Sequence, residues 1–179
     1  MSLYFIALIP DLSLRKEIKA LKEEIYTNTG AKKALNSPAH ITIQRPFSRD
    51  NDFEDLLVSN LKLFATCRKL FKVKLSGFKC FKPRTIFVDV IESEELNKVH
   101  QELNSLLTDQ LTFEQKELSK NITPHITIVT RDLDKKEFYK VWPTFKNRVF
   151  DAKFTVRSIF LLKHNGNNWD TIHEFMFKK

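Results

Sequence analysis

The sequence predicts an α+β protein of two pseudo-symmetric lobes. Each lobe is an antiparallel-rich sheet with helices on the outside, and a central cleft carries two H-x-T-x strands. Three observations predict this. First, His40-Ile41-Thr42-Ile43 recurs as His125-Ile126-Thr127-Ile128, with a proline just upstream of each copy (Pro38 and Pro124). Second, strand-like and helix-like hydrophobic periods alternate in the same order before and after mid-chain, and each copy of the motif takes the same place in that order. Third, no low-complexity or linker segment divides the halves, so residues 1–179 read as one bilobal domain. Its 42% hydrophobic content is enough for a buried core at this length without disulfides or metal.

Leu3 to Ile9 is almost uniformly apolar, ends at Pro10 and reads as a buried strand. Leu14, Ile18, Leu21 and Ile25 then fall three to four apart. They predict a helix capped by Asp11 or Ser13 and stopped near Thr29 by Gly30. A polar stretch, Ala31 to Pro38, leads into the first motif. Phe53, Leu56, Leu57, Leu61 and Phe64 predict a second helix over Asp52–Thr66, with Asn51 or Asp52 as cap. Phe71 to Leu75 alternates as a strand, and Thr85 to Ile91 is β-rich, with Lys79 to Arg84 as the connection.

Leu96, Val99, Leu103 and Leu107 predict a helix over Glu94–Leu111. The second motif strand spans about Pro124 to Thr130. Leu133 to Asn147 is a weaker helix, expected to be interrupted at Pro143. Ala152 to Leu162 reads as one alternating strand. Asn165-Gly166-Asn167-Asn168 turns the chain, and Trp169 to Phe177 returns as its hairpin partner. The order is β-α-β-α-β followed by β-α-β-α-β-β.

Cys67 and Cys80 have no CxxC spacing and read as buried, reduced thiols of a cytosolic protein. Leu3 to Pro10 is too short for a secretory signal, and no apolar run approaches the ~20 residues of a membrane helix. The expected location is the cytoplasm. The net charge of +8 suits an anionic partner such as RNA or a nucleotide, and suits a merely solvated basic surface equally.

The motifs carry the chemistry. In a strand, residues i and i+2 share a face, so each copy presents an imidazole and a hydroxyl together, with two isoleucines opposite. Two such strands across a cleft are equipped for metal-free acid–base cleavage of a phosphodiester. His40 and His125 are the acid/base pair, since imidazole titrates near neutral pH. The hydroxyls of Thr42 and Thr127 hold the non-bridging oxygens. Arg131, at i+6 from His125, keeps the site parity and is a candidate phosphate contact. Arg45 has the wrong parity unless a bulge redirects it. Phe47, Phe81 and Tyr4 are candidates for stacking on a base, with core packing as the alternative. His100, His164 and His173 have no metal-ligand spacing, so no metal and no cofactor are expected. With three glycines there is no triphosphate-binding loop.

The paired motifs resemble those of the 2H phosphoesterase superfamily, which includes the 2′-5′ RNA ligase-like proteins and the cyclic nucleotide phosphodiesterases. Leu3 to Ile9 resembles its opening strand, and Gly77-Phe78 with Thr85 to Val90 its mid-chain hairpin. Gln44-Arg45-Pro46-Phe47 stands where ligase-type members tend to have Phe or Leu and Gly; it looks more like the small bacterial members. The resemblance implies a bilobal fold with a central cleft. It also implies hydrolysis, without metal, of a 2′,3′-cyclic phosphate or related phosphodiester on an RNA end or nucleotide. By family analogy the second histidine activates water and the first protonates the leaving 3′ oxygen. The alternatives are 2′-5′ RNA ligase activity and a non-catalytic RNA-end-binding module. No membrane and no obligate protein partner are expected.

Overall fold

The computed structural model describes residues 1–178. Eight strands and four α-helices follow one another as β1 (Ser2–Leu8), α1 (Leu12–Thr29), β2 (Ile41–Arg49), α2 (Phe53–Thr66), β3 (Phe71–Phe81), β4 (Thr85–Ile91), α3 (Glu94–Asp109), β5 (His125–Val129), α4 (Lys135–Lys146), β6 (Asp151–Val156), β7 (Ser158–His164) and β8 (Trp169–Met176). They form two four-stranded antiparallel sheets, in the orders β2-β1-β7-β8 and β5-β4-β3-β6. The mixed α+β class and the two-lobed arrangement are as the sequence indicates.

The two motif strands, β2 and β5, are each the outer strand of their sheet. Edge position explains how Pro46 fits within β2, because an edge strand leaves alternate N–H groups unpaired. The helices cross over. α1 packs on β5 of the second sheet and α3 on β2 of the first, so each holds the motif strand of the opposite lobe. α2 packs on β8 and α4 on β3. One apolar cluster runs through both sheets, from Tyr4, Ile6 and Leu8 of β1 to Ile86, Val88 and Val90 of β4. The other face of β1 puts Phe5 and Ala7 into a small cluster with Leu162, against which Trp169 packs. That is why Leu3 to Ile9 reads apolar without a period: both its faces are covered.

The local signals mostly act as their chemistry requires. Asp11 caps α1 by accepting from the Leu14 amide at 3.1 Å. Gly30 closes the helix in the left-handed region (φ 77°), where it costs no side-chain strain. Ser93 caps α3 through the Leu96 amide.

Four expectations are corrected. Ala152–Leu162 is not one strand: it divides at Arg157 into β6, which pairs with β3, and β7, which pairs with β1. The chain therefore changes sheets there, and the sheets do not coincide with the sequence halves. β3 runs on to Phe81, past a bulge at Gly77 (φ 66°) whose amide donates to the Phe150 carbonyl. α4 continues through Pro143. Pro143 is exposed and Tyr139 is largely so, leaving the carbonyl four residues back to water. Cys67 is exposed and Cys80 half-buried, and both are free. Among the described residues, no helix is long and apolar enough to cross a membrane.

Candidate active site

The motif isoleucines fix the orientation of the site. Ile41, Ile43, Ile126 and Ile128 are all buried, which turns the alternate residues of β2 and β5 away from the core. His40, Thr42, Thr127 and Arg131 line a cleft of about 520 Å³ together with Lys33, Phe5 and Trp169. Thr42 also lines an adjoining hollow of about 560 Å³ that contains His125 and Arg45. The two hollows share Thr42, so both histidines and both threonines line adjoining hollows. Among the described residues neither threonine hydroxyl has a hydrogen-bond partner, which leaves both available to a ligand.

The histidines are held alike. His40 Nδ1 lies 2.7 Å from the Pro38 carbonyl, and His125 Nδ1 lies 2.6 Å from the Thr123 carbonyl. A carbonyl only accepts, so each Nδ1 carries the proton and each Nε2 is the free base. In each motif the carbonyl acceptor lies two residues ahead of the ring it orients. The rings also pack alike, with centroids 4.8 Å from Phe5 for His40 and 4.8 Å from Phe87 for His125. Trp169 backs Phe5 edge-on at 4.6 Å, while Phe81 lies 4.5 Å from Phe87.

Charge breaks this symmetry. Burial pushes the His40 imidazolium down to about 4; the Pro38 carbonyl opposes this, and Lys22 and His125 add to it. Burial also lowers His125, but the Thr123 carbonyl and the Asp89 carboxylate pull it back up. Asp89 is the cross-strand partner of His125 and pairs with Lys79 at 2.8 Å. Lys22 is only 4% exposed. Its ammonium donates to the Ala34 carbonyl at 2.8 Å and the Ser37 carbonyl at 3.0 Å, fixing the segment that ends at Pro38. Burial lowers Lys22 to about 8, so it is still charged at neutral pH.

Both connections that wall the cleft are fastened. Asp132 Oδ2 accepts from the Lys32 and Lys33 amides at 2.7 and 2.8 Å, tying the 3-10 turn Lys33–Asn36 to the end of β5. Gln44 is fully buried. It donates to the Glu117 carbonyl at 2.9 Å and accepts from the Ser119 amide at 3.1 Å. His100 Nε2 donates to the Ser119 carbonyl at 2.5 Å. Arg49 pairs with Glu117 at 2.6 Å and lies 4.0 Å over the Phe113 ring.

Two shifts in the β1–β2 register give β2 extra residues and carry Arg45 to the cleft wall. There its guanidinium donates to the Glu117 and Lys116 carbonyls. Arg131 is exposed at the cleft mouth. Phe47 lines neither hollow: it is 5% exposed and packs on Tyr4 and Phe113, so it belongs to the core. Tyr4 is buried too, whereas Phe81 stands edge-on to His125 at 5.3 Å. Lys22, Asp89 and Gln44 also shape the cleft, beyond the residues that the motif alternation names. Lys22 had left a signal, since it falls on the apolar stripe of α1, four residues after Ile18. Asp89 is likewise a lone carboxylate within an otherwise apolar strand.

Three comparisons bear on this geometry. The model of the 2′-5′ RNA ligase superfamily matches residues 10–168. A protein of Geobacillus sp. (strain WCH70) named "Putative phosphoesterase" is 28% identical over 140 residues, covering 76% of each chain. TT0787 of Thermus thermophilus superposes with a TM-score of 0.73 at 18% identity, over 99% of this chain and 98% of that one. E. coli LigT, crystallised with 3′-AMP, superposes with a TM-score of 0.70 at 14% identity, over 99% of both. At these identities the structural likenesses speak to the fold.

Proposed function

Since this chain belongs to the 2′-5′ RNA ligase superfamily, we propose that it hydrolyses a 2′,3′-cyclic phosphate on an RNA end or nucleotide. The observation that carries this reading is the pair of imidazoles, each with Nδ1–H tied to a backbone carbonyl and Nε2 left free. Water attacks phosphorus as one Nε2 removes its proton, the bond to a ribose oxygen breaks, and the other Nε2–H protonates that oxygen. Thr42 and Thr127 donate to the non-bridging oxygens as charge builds there, and Lys33 and Arg131 complement the anion. E. coli LigT has been crystallised with 3′-AMP, which fits a nucleotide in this cleft.

Charge supports the role assignment. The base gains a positive charge in the transition state and the acid loses one, so a field favouring charge on one ring and opposing it on the other lowers the barrier. Asp89 favours charge on His125, and Lys22 opposes it on His40. His125 is therefore the base and His40 the acid. If a 5′-hydroxyl replaces water, the same steps form a 2′-5′ linkage, so ligation needs no further residue.

The test is turnover of 2′,3′-cyclic nucleotides in excess EDTA, with identification of the product isomer. EDTA-resistant hydrolysis is expected, falling by at least ~10²-fold in His40→Ala and in His125→Ala. Ligated product without hydrolysis would move the function to ligase. Binding of an RNA end that survives His40→Ala, with no turnover by wild type at any pH, would leave a binding module.

A further inference from the structure

Beside the active cleft lies another hollow of about 500 Å³, between α1 and the segments 35–39 and 168–170. The two share Asn36, Ser37 and Trp169, so they adjoin along that wall. The α1 wall is cationic. Arg15, Lys16, Lys19 and Lys22 fall at i, i+1, i+4 and i+7 and all line the hollow. Lys22 is turned inward to its two carbonyls. Lys19 pairs only with exposed Glu23 at 3.3 Å, a contact an anion displaces at little cost. Lys16 enters no ion pair among the described residues. Arg15 Nε is buried without a hydrogen-bond partner.

The run of charge continues. Arg15 also lines a third hollow, of about 590 Å³, with Lys72, Lys153 and Arg157. Three carboxylates line the path, each held by a neutral donor that does not cancel its charge: Asp170 accepts from Asn165, Asp11 caps α1, and Glu174 accepts from Ser158. Against them stand seven cations, Arg15, Lys16, Lys19, Lys22, Lys72, Lys153 and Arg157. Two hollows in a row thus lead cations away from the cleft, and of these cations only Lys22 bears on the acid–base pair. Where the cleft opens into this path stands Trp169, half-buried and held edge-on by Phe5 and by His164 at 4.9 Å.

We propose that this groove binds the single strand 5′ of the cyclic phosphate, so that an RNA oligonucleotide is preferred over a mononucleotide. This rests on the function proposed above. A 2′,3′-cyclic phosphate occupies a 3′ end, so every other phosphate of the strand lies on its 5′ side. A mononucleotide leaves the groove empty; a strand brings one negative charge per nucleotide past a line of cations. Trp169 offers a stacking face at the point where the last base leaves the cleft, as single-strand binders use aromatic platforms.

The test compares kcat/KM for a 2′,3′-cyclic mononucleotide and for a short single-stranded RNA with the same cyclic end. Wild type and Lys16→Glu/Lys19→Glu are used, since both lysines are exposed and outside the active site. Wild type is expected to prefer the oligonucleotide by at least ~10-fold in kcat/KM, through KM. The double variant loses that preference and leaves mononucleotide kinetics unchanged. Its log–log salt dependence for the oligonucleotide flattens by about 1.4, two phosphate contacts' worth on a single strand. Equal kcat/KM for both substrates, or equal losses on both, overturns the groove and leaves the active-site reading intact. If neither substrate turns over, the active-site reading fails. The groove is then decided by fluorescence anisotropy with the same RNA: weaker binding by the double variant upholds it, and unchanged binding overturns it.

Discussion

His40 and His125 have the same tautomer, each with its own backbone acceptor and phenylalanine neighbour, and differ in the charge they face. The pH profile follows from that difference. In the free protein both rings lie below the usual 6.5, His40 at about 4. With the proposed roles, the productive form needs His40 protonated and His125 neutral. It therefore peaks on the acid side, and kcat/KM, which reports the free enzyme, is expected to be greatest below pH 6.5. A bound phosphate anion favours the imidazolium, so the optimum of kcat moves to higher pH. A kcat/KM optimum above pH 7, or a flat profile, contradicts the pairing. Lys22→Met tests the neighbour. Loss of its charge lets the His40 limb move up, while loss of two hydrogen bonds loosens the segment that positions Pro38. The kcat/KM optimum is expected to shift to higher pH and the peak rate to fall by about 10-fold, with partial rescue by Lys22→Arg. A fall in rate with no shift leaves Lys22 a purely structural anchor. His40, Thr42, His125 and Thr127 were legible because a repeated period-two pattern names them together. The roles of Lys22 and Asp89 were not, because they depend on what the fold sets against them: the 34–37 segment for Lys22 and β5 for Asp89.

At the scale of the element, β2 shows what alternation can and cannot say. It predicts which face Ile41 and Ile43 bury, and fails for Arg45, because two register shifts intervene that leave no mark in the sequence. The edge of β2 has no further strand to pair with, and the 112–121 connection covers it through Gln44. Gln44→Ala leaves the Ser119 amide and Glu117 carbonyl without these partners. The expected cost is about 1–3 kcal/mol, the range for buried polar groups deprived of a partner. It should appear as a lower urea midpoint with unchanged m-value. An unchanged midpoint would mean that His100, Arg49 and Arg45 hold the connection without it. Gln44 looked like a departure in the motif's flank; its side chain is instead the peg on which one wall of the site hangs.

At the scale of the molecule, the decisive event is the crossing at Arg157. Alternation hides it: the core-facing residues are Phe154 and Val156 in β6 but Ile159 and Leu161 in β7, a change of parity masked because Phe160 and Leu162 on the opposite face are apolar too. The crossing and the exchange of α1 and α3 interlock the sheets. The first sheet needs β7 and β8 from the C-terminal end, and β3 of the first sequence half sits in the second sheet. Among the described residues one apolar core cluster is continuous through both. The two lobes should therefore unfold together. The chain supplies its own reporters: its two tryptophans are Trp142 on α4, packed with the second sheet, and Trp169 on β8 of the first. With Trp142→Phe and Trp169→Phe as single-tryptophan variants, the fluorescence transition of each is expected to coincide with its own far-UV transition, as two-state behaviour requires. A transition in either variant that runs ahead of the loss of secondary structure would show one lobe opening first. That outcome would also change the account of catalysis. The proposed acid and base stand at strands of different sheets, and their spacing is only as fixed as the core between them. Coincident transitions would mean that the cleft is held by the whole fold, and that a core substitution far from His40 lowers activity only as it lowers the folded fraction.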